Sequence, residues 1–419
     1  VKGLSKEEIR ILLTLLGGFL LLVAALFALN SYFIRTQPGA AGDFFTLWVA
    51  GRAFLFEKIE PYTANIPARV QQMVYQRSVR SGEKPYIADW PFALLFPLFP
   101  FALFSNPISA AAVWMLLAEI ALLGLAFLSL YLTDWQPRRP FLLAFYAFAI
   151  LNFYSLTALL QGGVAIFLGL SYAAMLFALR YERDELLGAL LALSFLGWEV
   201  GGPFLVLIWW RVLTERRGRA LATFGIFALV LLSASFLIYP GWLIPFLRAV
   251  LNNLRADYGF RLFTLFSTLS PRWGNALAWA WIGLLLLLLG YEWSRTLRSD
   301  FRRFYWTACL TLAITPLLGF RSEMQNLVVL LPGLTLTLAL MRERWSHWGY
   351  PIVFLVLFLA LALPWLLVTR GISPAGLQPA EIAFLFYPLL TLLGLYWIRW
   401  WAVRQPRPWL ERVTRSEYR

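Results

Sequence analysis

Apolar residues run in long blocks along most of this chain, joined by short polar segments. The blocks lie at about 9–30, 107–132, 140–158, 163–180, 186–211, 220–239, 276–294, 304–319, 325–341, 350–369 and 381–401. An α-helix needs about 20 apolar residues to cross a bilayer, so these blocks predict membrane-crossing helices. The residue-by-residue alternation of a porin-like barrel is absent. The first block follows Lys2, Lys6 and Arg10 without a small-residue cleavage pattern, which predicts a retained first helix rather than a signal peptide.

The 186–211 block differs from the others. Its centre reads Gly197-Trp198-Glu199-Val200-Gly201-Gly202-Pro203, and basic residues flank both ends. Glycine and proline interrupt helices, and a carboxylate at membrane depth needs polar company. A broken helical hairpin, entering and returning on one side, accounts for both features. The count is then about twelve transmembrane helices with both termini cytoplasmic.

Composition narrows the class. Hydrophobic residues make up 60% of the 419 positions and charged residues 14%, about half the charged share usual in soluble domains, which excludes a soluble enzyme. The net charge of +14 would suggest nucleic acid in a soluble chain. Here it sorts by side, as basic residues do in cytoplasmic loops. Twenty-three basic residues fall in alternate segments, including Arg399 and the tail 402–419, and the later outer segments hold only Arg248, Arg255, Arg261, Arg272, Arg321 and Arg370. The segments 31–106, 240–275, 320–324 and 370–380 therefore face outward. No nucleic-acid partner is expected. Cys309 stands alone in an apolar run, and the lone His347 reads as a juxtamembrane surface residue. A P-loop, an HExxH motif and a carboxylate-rich cation site are all missing. No metal or cofactor is expected.

Candidate chemistry concentrates in the outward segments. In the loop 31–106, residues 43–58 mix Phe44, Leu47, Val49, Phe54 and Leu55 with Arg52, Glu57 and Lys58, a pattern that predicts an amphipathic interfacial helix. A second helix is predicted near 66–80. Residues 90–100 carry three prolines in an apolar context and suit a short segment dipping into the membrane. Asp43 follows the first block. It fits either a general base toward a hydroxyl or an N-terminal helix cap. Glu119 and Glu199 are carboxylates inside apolar blocks, facing a cavity or a hydrogen-bonding partner. Arg321, Glu323, Gln325 and Asn326 form a compact polar group between two blocks. There Arg321 either binds a phosphate or pairs with Glu323.

The order of these features resembles the polyprenyl-phosphate-sugar-dependent glycosyltransferases of family 87, within the membrane-embedded GT-C superfamily. The matching pieces are Asp43-Phe44 with Ala50-Gly51, Glu60-Pro61-Tyr62, Trp90-Pro91 with Pro97, Pro100 and Trp114, and Leu160-Gln161-Gly162-Gly163. The segment ending in Arg216-Arg217, and Thr315-Pro316 leading to Leu331-Pro332, complete the series over about 40–335. The pattern departs from the family at three places. Gln161-Gly162-Gly163 stands where Gly-Gln-x-Asn is usual, Trp198-Glu199 where a lysine precedes proline, and Gln325-Asn326 where histidine is usual.

The resemblance implies an all-α, GT-C-like polytopic membrane protein, one transmembrane domain over 1–419, with its active site on the outer face of the plasma membrane. It implies Asp43 as the base that deprotonates an acceptor hydroxyl. The co-substrate would be a polyprenyl-phosphate sugar, mannose above all, and the acceptor a lipid or glycan. In this reading Arg52, Arg255, Arg261 or Arg321 stabilises the phosphate, and Tyr62, Trp90 and Trp198 stack on sugar. Gln161, Glu199, Glu323, Gln325 and Asn326 complete the binding set. The competing readings are a transporter or flippase, with Glu119 and Glu199 as coupling groups, and a non-catalytic membrane subunit.

Overall fold

A computed structural model describes residues 6–37, 39–256, 258–345, 348–373 and 377–403. His347 and the tail beyond Val403 lie outside the described residues. Among the described residues the chain is helical, and the single β contact is an isolated antiparallel bridge between Phe260 and Ser322.

Helix α1 (Lys6–Thr36) is followed by α2 (Gly42–Arg52), α3 (Asn65–Tyr75) and a 3-10 segment, Phe92–Leu98, that runs into the one-turn α4 (Phe99–Ala102). The interfacial reading of 43–58 is corrected for its α2 part, while Leu55, Phe56, Glu57 and Lys58 beyond it are exposed. Residues 44–51 are all buried, so α2 is enclosed on every side rather than lying on a surface by one face. It is packed by α3, α4, α5 and the 3-10 segment. Its polar pattern misled because Arg52 at its end is bonded to protein: it donates to the carbonyls of Ala102 (3.2 Å) and Phe104 (3.3 Å). Helix α3 does show one buried stripe, Ile66 and Val70, and ends at Tyr75.

Asn106 caps α5 (Pro107–Leu132), its side-chain oxygen accepting from Ile108 N–H at 2.9 Å. The 140–158 block is two helices, α6 (Arg139–Leu151) and α7 (Phe153–Gln161), bent by 47°. Asn152 makes the break tolerable. Its oxygen caps α7 through Ser155 N–H, and its amide donates to the Phe148 and Ala149 carbonyls at the end of α6. Helix α8 (Ala165–Arg180) follows.

The next pair, α9 (Asp184–Ser194) and α10 (Trp198–Thr214), is joined through a 3-10 turn at Phe195–Gly197. Their 31 residues are long and apolar enough for one crossing, and as a straight helix would span about 46 Å. Yet Asp184 at the start meets Arg217 just past the end at 3.1 Å, so the pair folds back on itself. Non-helical backbone at Gly201 and the proline at Pro203 bend α10 near the apex. The ring of Tyr172 leaves no space for a side chain at Gly201: a Cβ there would sit 2.6 Å from it.

Helices α11 (Gly218–Ile238), α12 (Leu243–Arg255), α13 (Leu262–Leu269) and α14 (Gly274–Ser294) come next. Then α15 (Phe301–Ile314), buried along most of its length, leads through Thr315–Leu317 and Met324–Leu330 to α16 (Leu331–Arg344), with α17 (Gly349–Arg370) and α18 (Pro379–Val403) closing the bundle. Among the described residues eight helices are long and apolar enough to cross a membrane, nine with the bent pair. Their outer faces are apolar: Leu21, Leu237 and Leu287 are 72%, 82% and 76% exposed. Such surfaces are stable only against hydrocarbon. The chain is thus an all-α polytopic membrane protein. Helices α8 and α15 fall below the crossing length, and the folded-back pair α9 and α10 counts once, which together separate the nine from the twelve expected from apolar runs.

Candidate functional site

Four pieces of chain meet at one end of the bundle: the start of α2, the loop between α3 and the 3-10 segment, the hairpin apex, and the segment between α15 and α16. Asp43 stands in the first turn of α2, and no side chain caps that helix. Its carboxylate reaches outward instead. The Lys84 ammonium lies 2.7 Å from one of its oxygens and 2.9 Å from the other, and 2.7 Å from Glu323. The Gln325 amide donates to both Asp43 and Glu323. The side chains of Lys84, Asp43 and Glu323 are only 22%, 15% and 18% exposed. The cap reading of Asp43 is therefore replaced by a paired carboxylate, further favoured by the positive end of its helix.

Lys84 has no periodic element to place it. Its loop is tied down by side chains: Tyr75 donates to the Lys84 carbonyl (3.2 Å), Gln71 to that of Pro85 (2.9 Å), and Arg77 grips Glu83 through both guanidinium nitrogens. Burial opposes the charge on Lys84, but Asp43 and Glu323 outweigh it and hold the ammonium well above the ordinary lysine range. Burial pushes the Glu323 carboxyl up, against the pull of Lys84.

Behind this set lies a second one. Asn253, delivered by α12, donates to Asp89 and accepts from Tyr258 at 2.9 Å. Arg321 donates to the Asn253 carbonyl and stacks 4.1 Å from the centre of the Tyr258 ring. The Phe260–Ser322 bridge holds these two segments in register. Arg321 and Glu323 are therefore not a local pair; they serve different partners. Burial raises the Asp89 carboxyl above its usual range, against the Asn253 hydrogen bond. A carboxyl raised on folding holds its proton more tightly in the folded chain. Its contribution is complete below the unfolded value near ~4 and is lost as pH rises through the raised one. Asp89→Asn is therefore expected to remove part of the fall in melting temperature of the solubilised protein as pH rises above ~4, read by thermal shift. An unchanged slope would refute the assignment.

Two cavities share this wall. The larger, about 690 Å³, is lined by Asp43, Lys84, Glu323, Gln161 and Arg261 among others; the smaller, about 120 Å³, by Asp43, Lys84, Glu323, Asp89, Trp90 and Glu199 among others. Gln325 and Asn326 line the smaller one. Gly163 completes it: a Cβ there would lie 2.3 Å from Gln325 Oε1 and 3.1 Å from Asp43. Glu199, at the hairpin apex, makes no hydrogen bond or ion pair with another described residue and faces the smaller cavity.

Several expected residues stand elsewhere. Arg52 packs over Trp48 and Phe56. Tyr62 supports Trp90 from outside, donating to its carbonyl at 3.2 Å. Trp198 is 49% exposed, and Arg255 is exposed at the end of α12. None of these four lines either cavity. Glu119 lies on α5, away from both cavities, beside Asn30 of α1. Sequence reasoning missed Lys84, Asp89, Asn253 and Tyr258. One signal was present: the chain has 32 arginines and only four lysines, and Lys84 precedes a proline five residues from Asp89. Among the described residues no group of three His, Cys, Asp or Glu side chains is placed to hold a metal ion. Comparison with protein-family models, curated proteins and solved structures finds no match to this chain.

Proposed function

We propose that this protein is an integral-membrane glycosyltransferase of GT-C type. In this reading it moves a sugar, mannose foremost, from a polyprenyl-phosphate donor to a lipid or glycan acceptor at the outer membrane face. The observation that carries the reading is the position of Asp43, on the wall between two cavities and in contact with both. A two-substrate transfer needs a base where its reactants meet. The acceptor hydroxyl attacks the anomeric carbon while Asp43 takes its proton. The bond from that carbon to the phosphate oxygen breaks with inversion, and the lipid phosphate leaves with the electron pair. Lys84, the cation in contact with Asp43, and Arg261 of the larger cavity are the groups that offset the phosphate charge. Arg52 and Arg255 drop out of that role. Trp90, Asp89, Glu199 and Asn326 suit a sugar, with one aromatic ring and several acceptors around a small space.

The test is transfer of labelled sugar from a lipid-phosphate donor by the full chain in proteoliposomes. Flux of a polar solute or lipid without transfer would favour the transporter reading, to which the unpaired Glu199 lends itself.

Gly163→Ala probes the geometry. The new methyl meets the far end of the Gln325 side chain, which can swing away, so stability should change by no more than about 1 kcal/mol. Gln325 would then lose its grip on Asp43, and a base misplaced by about 1 Å costs on the order of 10²-fold in rate. The expected result is a fall in kcat with a near-constant melting temperature. Unchanged kcat would show that the Gln325–Asp43 contact is dispensable.

A further inference from the structure

At the opposite end of the bundle, α16, α17 and α18 enclose an apolar groove of about 250 Å³, lined by Leu334, Met341, Val356, Leu390, Leu393 and Trp397 among others. Two helix faces build it. Positions 334, 337 and 341 fall on one face of α16, and 390, 393, 394 and 397 on one face of α18, as helical spacing requires. Thr337 and Gly394 let the helices approach closely, since a Cβ at Gly394 would lie 2.7 Å from Thr337. Leu393 is 69% exposed, so the groove opens sideways toward hydrocarbon.

The same two faces continue into an aromatic and cationic end. One turn beyond Met341 stands Arg344, whose guanidinium lies 3.9 Å from the centre of the Trp401 ring and 5.5 Å from that of Trp397, a groove residue. Trp345 packs against Trp397 with ring centres 4.7 Å apart. Tryptophan at the end of a membrane helix marks the headgroup level. A guanidinium stacked on a ring keeps its N–H donors in plane, and those of Arg344 bond to no other described residue. Beside it, Arg342 stacks 4.3 Å from the Tyr350 ring, and its buried Nε has no hydrogen-bond partner. An apolar slot facing lipid, ended by unsatisfied guanidinium donors at headgroup depth, has the polarity of a lipid with an anionic head.

We propose that this groove binds one anionic glycerophospholipid, an acyl chain lying between α16 and α18 and its phosphate held by Arg344. The site is separate from the Asp43 cavities and independent of the transfer reading. In the orientation proposed above it faces the cytoplasmic leaflet, where anionic lipids concentrate.

The experiment is native mass spectrometry of the full chain, released from micelles with phosphatidylglycerol or phosphatidylcholine of identical acyl chains. The wild type should retain one phosphatidylglycerol about tenfold more strongly than phosphatidylcholine, the scale of one charge-assisted hydrogen bond. Arg344→Gln should abolish that preference. Leu393→Trp, which fills the groove, should reduce retention of both lipids. Arg295→Gln is the control: it removes an exposed arginine stacked on Tyr291 and should leave the preference intact. Equal retention of the two lipids by the wild type would overturn the proposal. So would a preference that survives Arg344→Gln, or a second copy of the chain occupying the groove in place of lipid. The readout requires no turnover, so its failure is distinct from failure of the glycosyltransferase reading.

Discussion

Asp43→Asn is expected to lower the rate of sugar transfer by about 10²–10⁴-fold, the usual contribution of a positioned general base. The substitution keeps the side-chain shape and can still receive the Gln325 amide, but it cannot take a proton at neutral pH. Lys84 keeps its second partner, Glu323, at 2.7 Å. The variant should therefore fold and melt within a few degrees of the wild type. The measurement is single-turnover transfer from a lipid-phosphate sugar, with melting followed on the same sample. A rate near that of the wild type would remove Asp43 from the mechanism, whatever the fate of the rest of the site.

Lys84→Met is expected to damage both stability and activity. It leaves the carboxylates of Asp43 and Glu323 beside each other, with only the Gln325 amide bonded to both. Removing one partner of a fully buried ion pair costs about 3–5 kcal/mol. These side chains keep 15–22% exposure, so about 2–3 kcal/mol is the expected loss here. It should lessen as pH falls, because protons on the two carboxyls replace the missing ammonium. Adding Glu323→Gln should recover part of the melting temperature at neutral pH, since a single carboxylate remains to be balanced. Recovery of stability without recovery of transfer would separate the structural role of Lys84 from its proposed contact with the donor phosphate. A double variant no more stable than Lys84→Met would show that the ion pairing is not what holds this wall together.

The misses along the chain share a cause. Helices in contact with lipid announce themselves by unbroken apolar runs, so α5, α11, α14, α17 and α18 begin and end within two residues of the expected blocks. Enclosed helices do not. Helix α2 resembles an interfacial helix because Arg52 and Asp43 punctuate it, and only the surrounding helices show that these charges are satisfied by protein. Asn152 breaks a run of apolar residues without glycine or proline, through side-chain caps that no periodicity records. Lys84 and Asp89 sit in a loop shaped by side-chain hydrogen bonds, and their partners are 41 and 164 residues away in the chain.

By itself the sequence determined the membrane class, the position of most long helices and the break at the Gly-rich apex, because those depend on local composition and on the cost of bare polar groups in hydrocarbon. It also singled out Asp43, Glu199, Glu323 and Gln325 as chemistry worth watching. The tertiary structure alone decided which charges meet: that Asp43 shares Lys84 with Glu323, that Arg321 turns to Tyr258 instead, and that Arg52 and Arg255 stand outside. Ion pairing and hydrogen bonding act over about 3 Å, and no pattern along a chain of 419 residues encodes distances that short between segments so far apart.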